Sequence, residues 1–231
     1  MYASLIPYFE CIFPINDHQR SLLRSIICDV GFGSGTLLRF LASEHADVYG
    51  LEYDAALIRH VQGSLLLPDY KLGLGSLEEI DTLFTGRTFD LIICIGNTLP
   101  HVPSSKQNQF IKNTNIVTHP GSCLVIATVN YDRILAEKPD KLPDIQRSFE
   151  GKQLSFSRHY SYKTDSIAFS TSLSLEGEIL KQDSVTLYPC KKDDVAGWLR
   201  SSGYGRIEIY GGYDQSQWTL ESFHTVYVAY K

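Results

Sequence analysis

Several features are scarce in this sequence of 231 residues. Its five cysteines include no C-x-x-C pair, so disulfides and a metal site are not expected, and a reducing cytoplasm is the expected location. No apolar run reaches the about 20 residues that a membrane-spanning helix needs, and the N-terminal stretch, which contains Glu10, lacks the basic start of a secretory signal. Membrane association is therefore not expected.

Basic residues form no run, and 21 Lys and Arg against 26 Asp and Glu leave a net charge of −5. Nucleic acid is disfavoured as a partner, because phosphate binding needs a basic surface. A hydrophobic content of 43% with 20% charged residues is typical of a globular protein. The length fits one α/β domain with an elaboration.

The most informative segment is residues 26–38, where an apolar run ends in an acid and three alternate glycines follow. This pattern predicts a parallel strand, a tight loop and the start of a helix. Glycine allows a ligand to approach the backbone closely. Asp29, at the end of the strand, would repel a pyrophosphate but attract a cationic amine. The candidate ligand-binding residues of the loop are Gly31, Phe32, Gly33 and Gly35.

A second acid lies at the end of the next predicted strand, residues 47–52. Glu52 follows the first strand at the spacing of a ribose-binding acid in βαβ units, about 20 residues on. Its two carboxylate oxygens can accept from both ribose hydroxyls, and Tyr53 can pack against an adenine. A third strand over residues 70–75 would place Ser76 at the same edge of the sheet.

The fourth predicted strand, which begins at Phe89, is continuously apolar, as expected of a strand buried on both faces. It is followed by Gly96-Asn97-Thr98-Leu99-Pro100-His101. Ligands of open α/β sheets lie outside the carboxyl ends of the strands, so this segment is expected to face the reacting centre.

The glycine loop resembles motif I of the class I S-adenosylmethionine-dependent methyltransferases. The segment from Ile95 to His101 resembles the Gly-Asn-Ser-x-x-His segment of the glycine and sarcosine N-methyltransferase branch. The resemblance implies S-adenosylmethionine as the cofactor, with its methionine part wrapped by the loop. It also implies a backbone contact from Gly96 to the cofactor, and Asn97 at the substrate or the methionine end. Asn97 and His101 are thus the catalytic candidates, and His101 is also a candidate substrate contact.

Two positions depart from that family pattern. Ser76 stands where the family commonly has an acid for the adenine amino group, so either its hydroxyl substitutes or the Leu77 backbone amide carries adenine recognition. Val129 stands where glycine N-methyltransferases have an arginine that grips the substrate carboxylate. Because valine cannot form a bidentate clamp, we expect glycine to be a poor substrate.

The remaining sequence completes an α/β pattern. Residues 154–162, 166–175 and 177–188 alternate apolar and polar side chains, which predicts three antiparallel strands inserted after a fifth parallel strand. Residues 205–210 and 222–230 predict a terminal antiparallel pair, a methyltransferase trait.

The predicted fold is a Rossmann-like, three-layer α/β/α domain over residues 1–231. Its seven-stranded sheet is mostly parallel with a C-terminal antiparallel hairpin. The antiparallel insertion, residues 153–188, is expected to act as a lid, and residues 1–25 as a helical cap. Tyr8 in the cap and Tyr131 after the fifth strand are candidate substrate contacts.

The sequence therefore predicts methyl transfer to a nitrogen or oxygen of a small molecule by in-line displacement. This reaction needs no metal, because the protein has to align the reactants and exclude water. Two alternatives remain: a protein that binds the cofactor without catalysis, as a sensor or partner subunit, and an oxidoreductase dependent on NAD(P). The oligomeric state, monomer or homodimer, stays open.

Overall fold

The computed structural model describes residues 25–44, 46–65 and 67–231. The predicted cap, with Tyr8, lies outside the described residues apart from residue 25. The strands of the described part are β1 (Ile26–Val30), β2 (Asp47–Glu52), β3 (Leu72–Leu74), β4 (Phe89–Cys94), β5 (Thr118–Val129), β6 (Lys141–Phe149), β7 (Lys152–Tyr162), β8 (Ile167–Leu175), β9 (Glu178–Leu187), β10 (Arg206–Tyr210) and β11 (His224–Tyr230). The α-helices of that part are α1 (Thr36–Ser43), α2 (Ala55–Ser64), α3 (Ile80–Leu83), α4 (Ser104–Ile116), α5 (Tyr131–Glu137) and α6 (Lys192–Ser201).

Seven strands form the main sheet in the order β10-β11-β5-β4-β1-β2-β3. Strands β1 to β5 are parallel, and β11 runs antiparallel to both β5 and β10. The predicted fold class is confirmed, including the terminal antiparallel pair. Because β1 pairs with both β2 and β4, the strand order reverses there, and the loops after β1 and β4 leave the sheet side by side. This is the usual ligand position in open α/β sheets.

The sheet is covered on both faces by apolar clusters. One cluster contains Leu38 of α1 and Val61 of α2, and the other contains Phe110 of α4 and Leu199 of α6. These four side chains are completely buried. Each contributes roughly 1.5–3 kcal/mol by leaving water, which holds the strand ends in fixed positions beneath the loops.

The inserted sheet has four antiparallel strands in the order β6-β7-β8-β9. Strands β7 to β9 match the three predicted ones. Strand β6 was missed, because Pro143 lies within it and a register shift between Leu142 and Ile145 breaks the alternation of its side chains. The sheet therefore begins at Lys141, earlier than the pattern predicted.

Pro120 and Gly121, a residue pair typical of turns, instead lie within β5. The pairing of β4 with β5 shifts register between Phe89 and Leu91. Gly121 has a φ of +93°, a conformation that glycine adopts without strain. The irregular pairing lets the strand pass through a Pro-Gly pair that would otherwise end it.

Hydrogen bonds fasten the end of the inserted sheet to the turn that follows β4. The Tyr188 amide donates to the Pro100 carbonyl at 2.7 Å. The buried Gln107 side chain donates through Nε2 to the carbonyls of Val102 (2.9 Å) and Tyr188 (3.0 Å). The inserted sheet is therefore held over the carboxyl ends of the parallel strands. Across the part of the chain that the structure describes, none of the helices has the length and apolar character to span a bilayer.

Candidate functional site

The loop after β1 depends on glycine at its first position. Gly31 has a φ of +73°, and a Cβ added there would lie 2.4 Å from Cγ2 of Thr98. A side chain at this position would therefore collide with the loop after β4. Gly33 and Gly35 also have positive φ, at +55° and +74°. The absence of a side chain at Gly31 therefore brings the two loops into contact. The amides of Gly31 and Gly35 donate within the protein, to the carbonyls of Leu51 (2.7 Å) and Phe32 (2.9 Å).

Glu52 joins the loop after β1 to the loop after β2. Its Oε2 accepts from the Gly33 amide at 3.0 Å, and its Oε1 accepts from the amides of Tyr53 (2.8 Å) and Asp54 (3.2 Å). Three backbone donors thus orient the carboxylate, which remains half-buried at the edge of the sheet. Its ribose contact stays a prediction.

Asp29 lies beneath the glycine loop and is only 3% exposed. Burial, together with the smaller effect of the negative charge of Glu52, raises the pKa of Asp29 to about 7. Two carboxyl groups are therefore close enough to repel each other. A cationic ligand beside them favours the ionised form of Asp29, which suits an amine or a sulfonium.

A cleft of about 790 Å³ opens above these loops. Several predicted cofactor residues share it, namely Gly31, Glu52, Tyr53, Ser76 and Leu77. Phe32 faces away, because its ring packs against Gly50 in the core. The cleft offers a glycine backbone for close approach and an oriented carboxylate for hydroxyl groups. The buried Asp29 lines a small adjoining cavity that shares Gly31 with the cleft. These groups fit an adenosyl sulfonium cofactor.

Ser76 lies at the edge of this cleft and caps a short 3-10 turn, Leu77–Glu79. Its hydroxyl donates to the Glu78 carboxylate, and its amide donates to Oε2 of Glu79 at 2.7 Å. Burial alone would raise the pKa of Glu78, but the ion pair with Lys106 at 2.5 Å and the hydrogen bond from Ser76 together lower it. The serine hydroxyl is therefore engaged locally, which leaves the Leu77 alternative for adenine recognition open.

Asn97 is held in a strained conformation at the end of β4. Its φ is +67°, which is uncommon outside glycine. Its Oδ1 accepts from the Val129 amide at 3.2 Å, and its Nδ2 donates to the Tyr131 hydroxyl at 3.1 Å. Tyr131 is completely buried, and burial raises the pKa of its hydroxyl well above the usual range. Its position behind Asn97 favours a positioning role, while a direct substrate contact stays a prediction.

A second cavity, of about 620 Å³, lies between the main sheet and the inserted sheet. Gly96, Asn97 and Val129 line it on the main-sheet side, and Phe156 and Tyr160 line it from β7. His101 lines both the cleft and this cavity. Burial lowers the pKa of His101, although the charge of Glu52 opposes this shift. The imidazole is thus neutral at pH 7 and able to accept a proton.

Sequence reasoning missed most of the second cavity. The missed residues include Arg147, Arg158, Phe169, Tyr213, Phe223 and His224. A signal was present in β7, because Phe156, Arg158 and Tyr160 alternate and must share one face of the strand. An arginine between two aromatic residues on one face of a strand is more typical of a pocket wall than of a solvent-exposed surface.

Comparisons with known proteins agree with this geometry. Residues 27–121 match the methyltransferase domain family. A segment of 56 residues is 43% identical to glycine N-methyltransferase of Rattus norvegicus, and this match spans 22% of the chain but only 19% of the rat enzyme.

Two solved structures share the fold. A S-adenosylmethionine-dependent methyltransferase from Clostridium acetobutylicum has a TM-score of 0.76 at 14% identity, with 99% of this chain and 95% of that chain covered. A S-adenosylmethionine-bound amino pentose methyltransferase from Micromonospora echinaspora has a TM-score of 0.70 at 15% identity, with coverage of 99% and 89%. The domain match, the strand order and the cleft agree with the resemblance to the class I S-adenosylmethionine-dependent methyltransferases that was drawn from the sequence.

Proposed function

We propose that this protein transfers a methyl group to a nitrogen or oxygen atom of a small molecule by in-line displacement. The observation that carries the proposal is the position of His101, which lines both the cofactor cleft and the second cavity. A donor in the cleft and an acceptor in the cavity would meet beside this side chain. The second cavity is therefore assigned to the acceptor and is called the acceptor cavity below.

We assign the binding of the cofactor to residues that line the cleft or adjoin it. Gly31 and Gly33 give it a backbone surface, Glu52 accepts from its ribose hydroxyls, and Asp29 balances its positive charge. When bound, S-adenosylmethionine supplies an electrophilic methyl group on a sulfonium whose departure leaves a neutral thioether. A metal or an acid on the leaving group is therefore not needed.

On the acceptor side, the chain has to orient the nucleophile and remove its proton. Asn97 is fixed by Val129 and Tyr131, so its amide is a rigid contact at the meeting point of the two cavities. His101 is the titratable group at that point, and its neutral form accepts the proton lost by an amine or a hydroxyl. The inserted sheet covers the acceptor cavity and excludes water.

The chemistry of the cavity wall argues against glycine as the acceptor. Val129 lines the acceptor cavity and offers no group that holds a carboxylate beside Asn97. The apolar and aromatic side chains of the inserted sheet suit a larger acceptor with a ring or an aliphatic body. Enclosure between two sheets favours a small molecule.

The test is an assay of the purified protein with S-adenosylmethionine and a panel of amines, amino sugars, phenols and alcohols. We expect S-adenosylhomocysteine to accumulate with one group of these acceptors and not with glycine. Binding of S-adenosylhomocysteine without turnover on any acceptor would favour the sensor alternative. Binding of NADH in place of S-adenosylhomocysteine would overturn the proposal.

A further inference from the structure

The acceptor cavity has an uncompensated positive charge. Two arginines of the inserted sheet line it, Arg147 on β6 and Arg158 on β7, and none of its described lining residues is an Asp or a Glu. Its two histidines do not add charge at neutral pH, because burial lowers the pKa of both His101 and His224. The positive charge of the cavity therefore comes from guanidinium groups alone.

Arg158 is only partly satisfied by the protein. Its Nη2 donates to the Pro143 carbonyl at 2.7 Å, while its Nε is buried and has no acceptor among the described residues. No described carboxylate lies within ion-pair distance of this side chain. A buried donor without a partner destabilises the protein, and more so when it belongs to a charged group, so a ligand that accepts from Arg158 would offset this cost.

Arg133 provides an informative comparison. Its Nε is also buried without a hydrogen bond, but it lies 3.9 Å from Oε2 of Glu137, and its Nη1 donates to the Glu221 carbonyl at 3.3 Å. Arg133 thus has a counter-ion within the protein. Arg158 has none in the described part of the chain, and its side chain lines a cavity.

We propose that the methyl acceptor carries an oxyanion, a carboxylate or a phosphate group, which Arg158 holds through its guanidinium group with Arg147 beside it. The inference rests on the proposed function, since it assigns this cavity to the acceptor. A guanidinium group binds either oxyanion through paired N–H donors. The anion would contact the inserted sheet, while the nucleophile lies at His101 on the main-sheet side.

The aromatic residues on either side of Arg158 define the rest of the acceptor. Phe156 and Tyr160 share its face of β7, and Phe169 on β8 pairs with Tyr160 across the strands. The rings of Tyr160 and Phe169 lie 5.3 Å apart between centroids, and with Phe156 they give the cavity an apolar wall on the side of the inserted sheet. This arrangement suits an anion attached to a ring or an aliphatic body better than a free inorganic ion.

Ligand-observed NMR in the presence of saturating S-adenosylhomocysteine tests this proposal. The probes are benzoate, phenyl phosphate and the neutral isostere benzamide. We expect the wild-type protein to bind at least one of the two anions, and benzamide at least tenfold more weakly. The tighter of the two anions identifies the group that the site prefers. Equal binding of benzamide, or no binding of either anion, would overturn the proposal.

Variants separate this proposal from the assignment of the cofactor site. Arg158→Met, which keeps the length of the side chain without its charge, is expected to lose at least tenfold in affinity for the anion, and Arg158→Lys is expected to lose less. The control Arg59→Met replaces an exposed arginine outside the cavity and should bind as the wild type does. Unchanged anion binding by Arg158→Met would contradict the proposal.

Calorimetry with S-adenosylhomocysteine accompanies each variant. If the wild-type protein does not bind this nucleoside, the proposed function is wrong. If it binds the nucleoside but Arg158→Met leaves its affinity for the anion unchanged, only the role of Arg158 in holding an anion is wrong. Should Arg158→Met not fold, Arg147→Met gives the same test from β6, with a loss of severalfold in anion affinity expected and an unchanged affinity contradicting the proposal.

Discussion

The amide of Gly33 donates to Oε2 of Glu52 across 3.0 Å, which links the loop after β1 to the loop after β2. Backbone donors thus orient one carboxylate in the wall of the cofactor cleft. The contact joins the two most distinctive sequence features of this chain, the glycine loop and the acid that follows it.

Replacing Glu52 with alanine is expected to weaken binding of S-adenosylhomocysteine by about 1–3 kcal/mol, because charged hydrogen bonds to the ribose are lost. This corresponds to roughly a tenfold to hundredfold rise in Kd, measured by isothermal titration calorimetry. Glu44→Ala, an exposed acid after α1, is the control and should leave the Kd unchanged. An equal Kd in the two variants would reject the ribose assignment.

Asp29 is expected to make stability depend on pH. Its pKa is about 7 in the folded protein and near 3.8 when unfolded, so between these values unfolding releases a proton. The free energy of unfolding should therefore be highest below about pH 4 with respect to this group, and fall as the pH rises towards 7.

Asp29→Asn removes this contribution. Urea unfolding of both proteins between pH 5 and 8 should show the wild type losing stability relative to the variant, by up to about 1.4 kcal/mol for each pH unit below 7. The difference between the two should level off above that pH. Parallel profiles would show that Asp29 is ionised in the folded protein throughout.

Alanine at Gly31 is expected to destabilise the protein through a collision with Thr98. Gly86 serves as a matched control, because its φ of +76° is nearly that of Gly31, but no atom lies within 4 Å of an added Cβ. Alanine is strained in the left-handed backbone conformation, so both substitutions should lower the free energy of unfolding by about 1–2 kcal/mol. Only Gly31→Ala adds the steric overlap with Thr98.

Urea unfolding in the absence of cofactor measures both variants. We expect Gly31→Ala to lose at least about 1 kcal/mol more than Gly86→Ala, the cost of forcing extra atoms into a packed site. If the two lose the same amount, the contact between the loops after β1 and β4 is not as close as described.

His101 is expected to set the acid side of the pH profile. Burial lowers the pKa of His101 from the usual 6.5. The kcat for an amine or hydroxyl acceptor should therefore fall as the pH drops through this lowered pKa, where the imidazole becomes protonated. His101→Gln should lower kcat by about a hundredfold or more and remove this limb of the profile.

The exposed His60 on α2 provides the control, since His60→Gln leaves the cavities untouched. Its profile should match that of the wild type. Retention of the acid limb in His101→Gln would show that another group, on the acceptor or on the protein, accepts the proton.

The sequence predicted the parts of the site in which a characteristic residue type occurs at a characteristic spacing along the chain. The glycine loop, Glu52 and the apolar run of β4 are local patterns, and each predicts its position at the edge of a parallel sheet. The irregular strand β6 was not predictable in this way, because Pro143 and the register shift beside it break the two-residue period.

The acceptor cavity was less predictable, because residues distant in sequence form it. Arg158 and His224 come together only when the inserted sheet folds over β5 and β11. The role of Tyr131 was equally hidden, since its hydroxyl contact to Asn97 depends on how the loops after β4 and β5 meet. The periodicity of a strand predicts which of its faces carries a residue. It does not predict which other element that face packs against.

The most direct test of the whole account is isothermal titration of the purified protein with S-adenosylhomocysteine, with NADH titrated in parallel. The account predicts one saturable site for the nucleoside, weakened in Glu52→Ala, and no heat with NADH. Absence of binding to S-adenosylhomocysteine, or binding that Glu52→Ala leaves unchanged while NADH saturates the same protein, would contradict it.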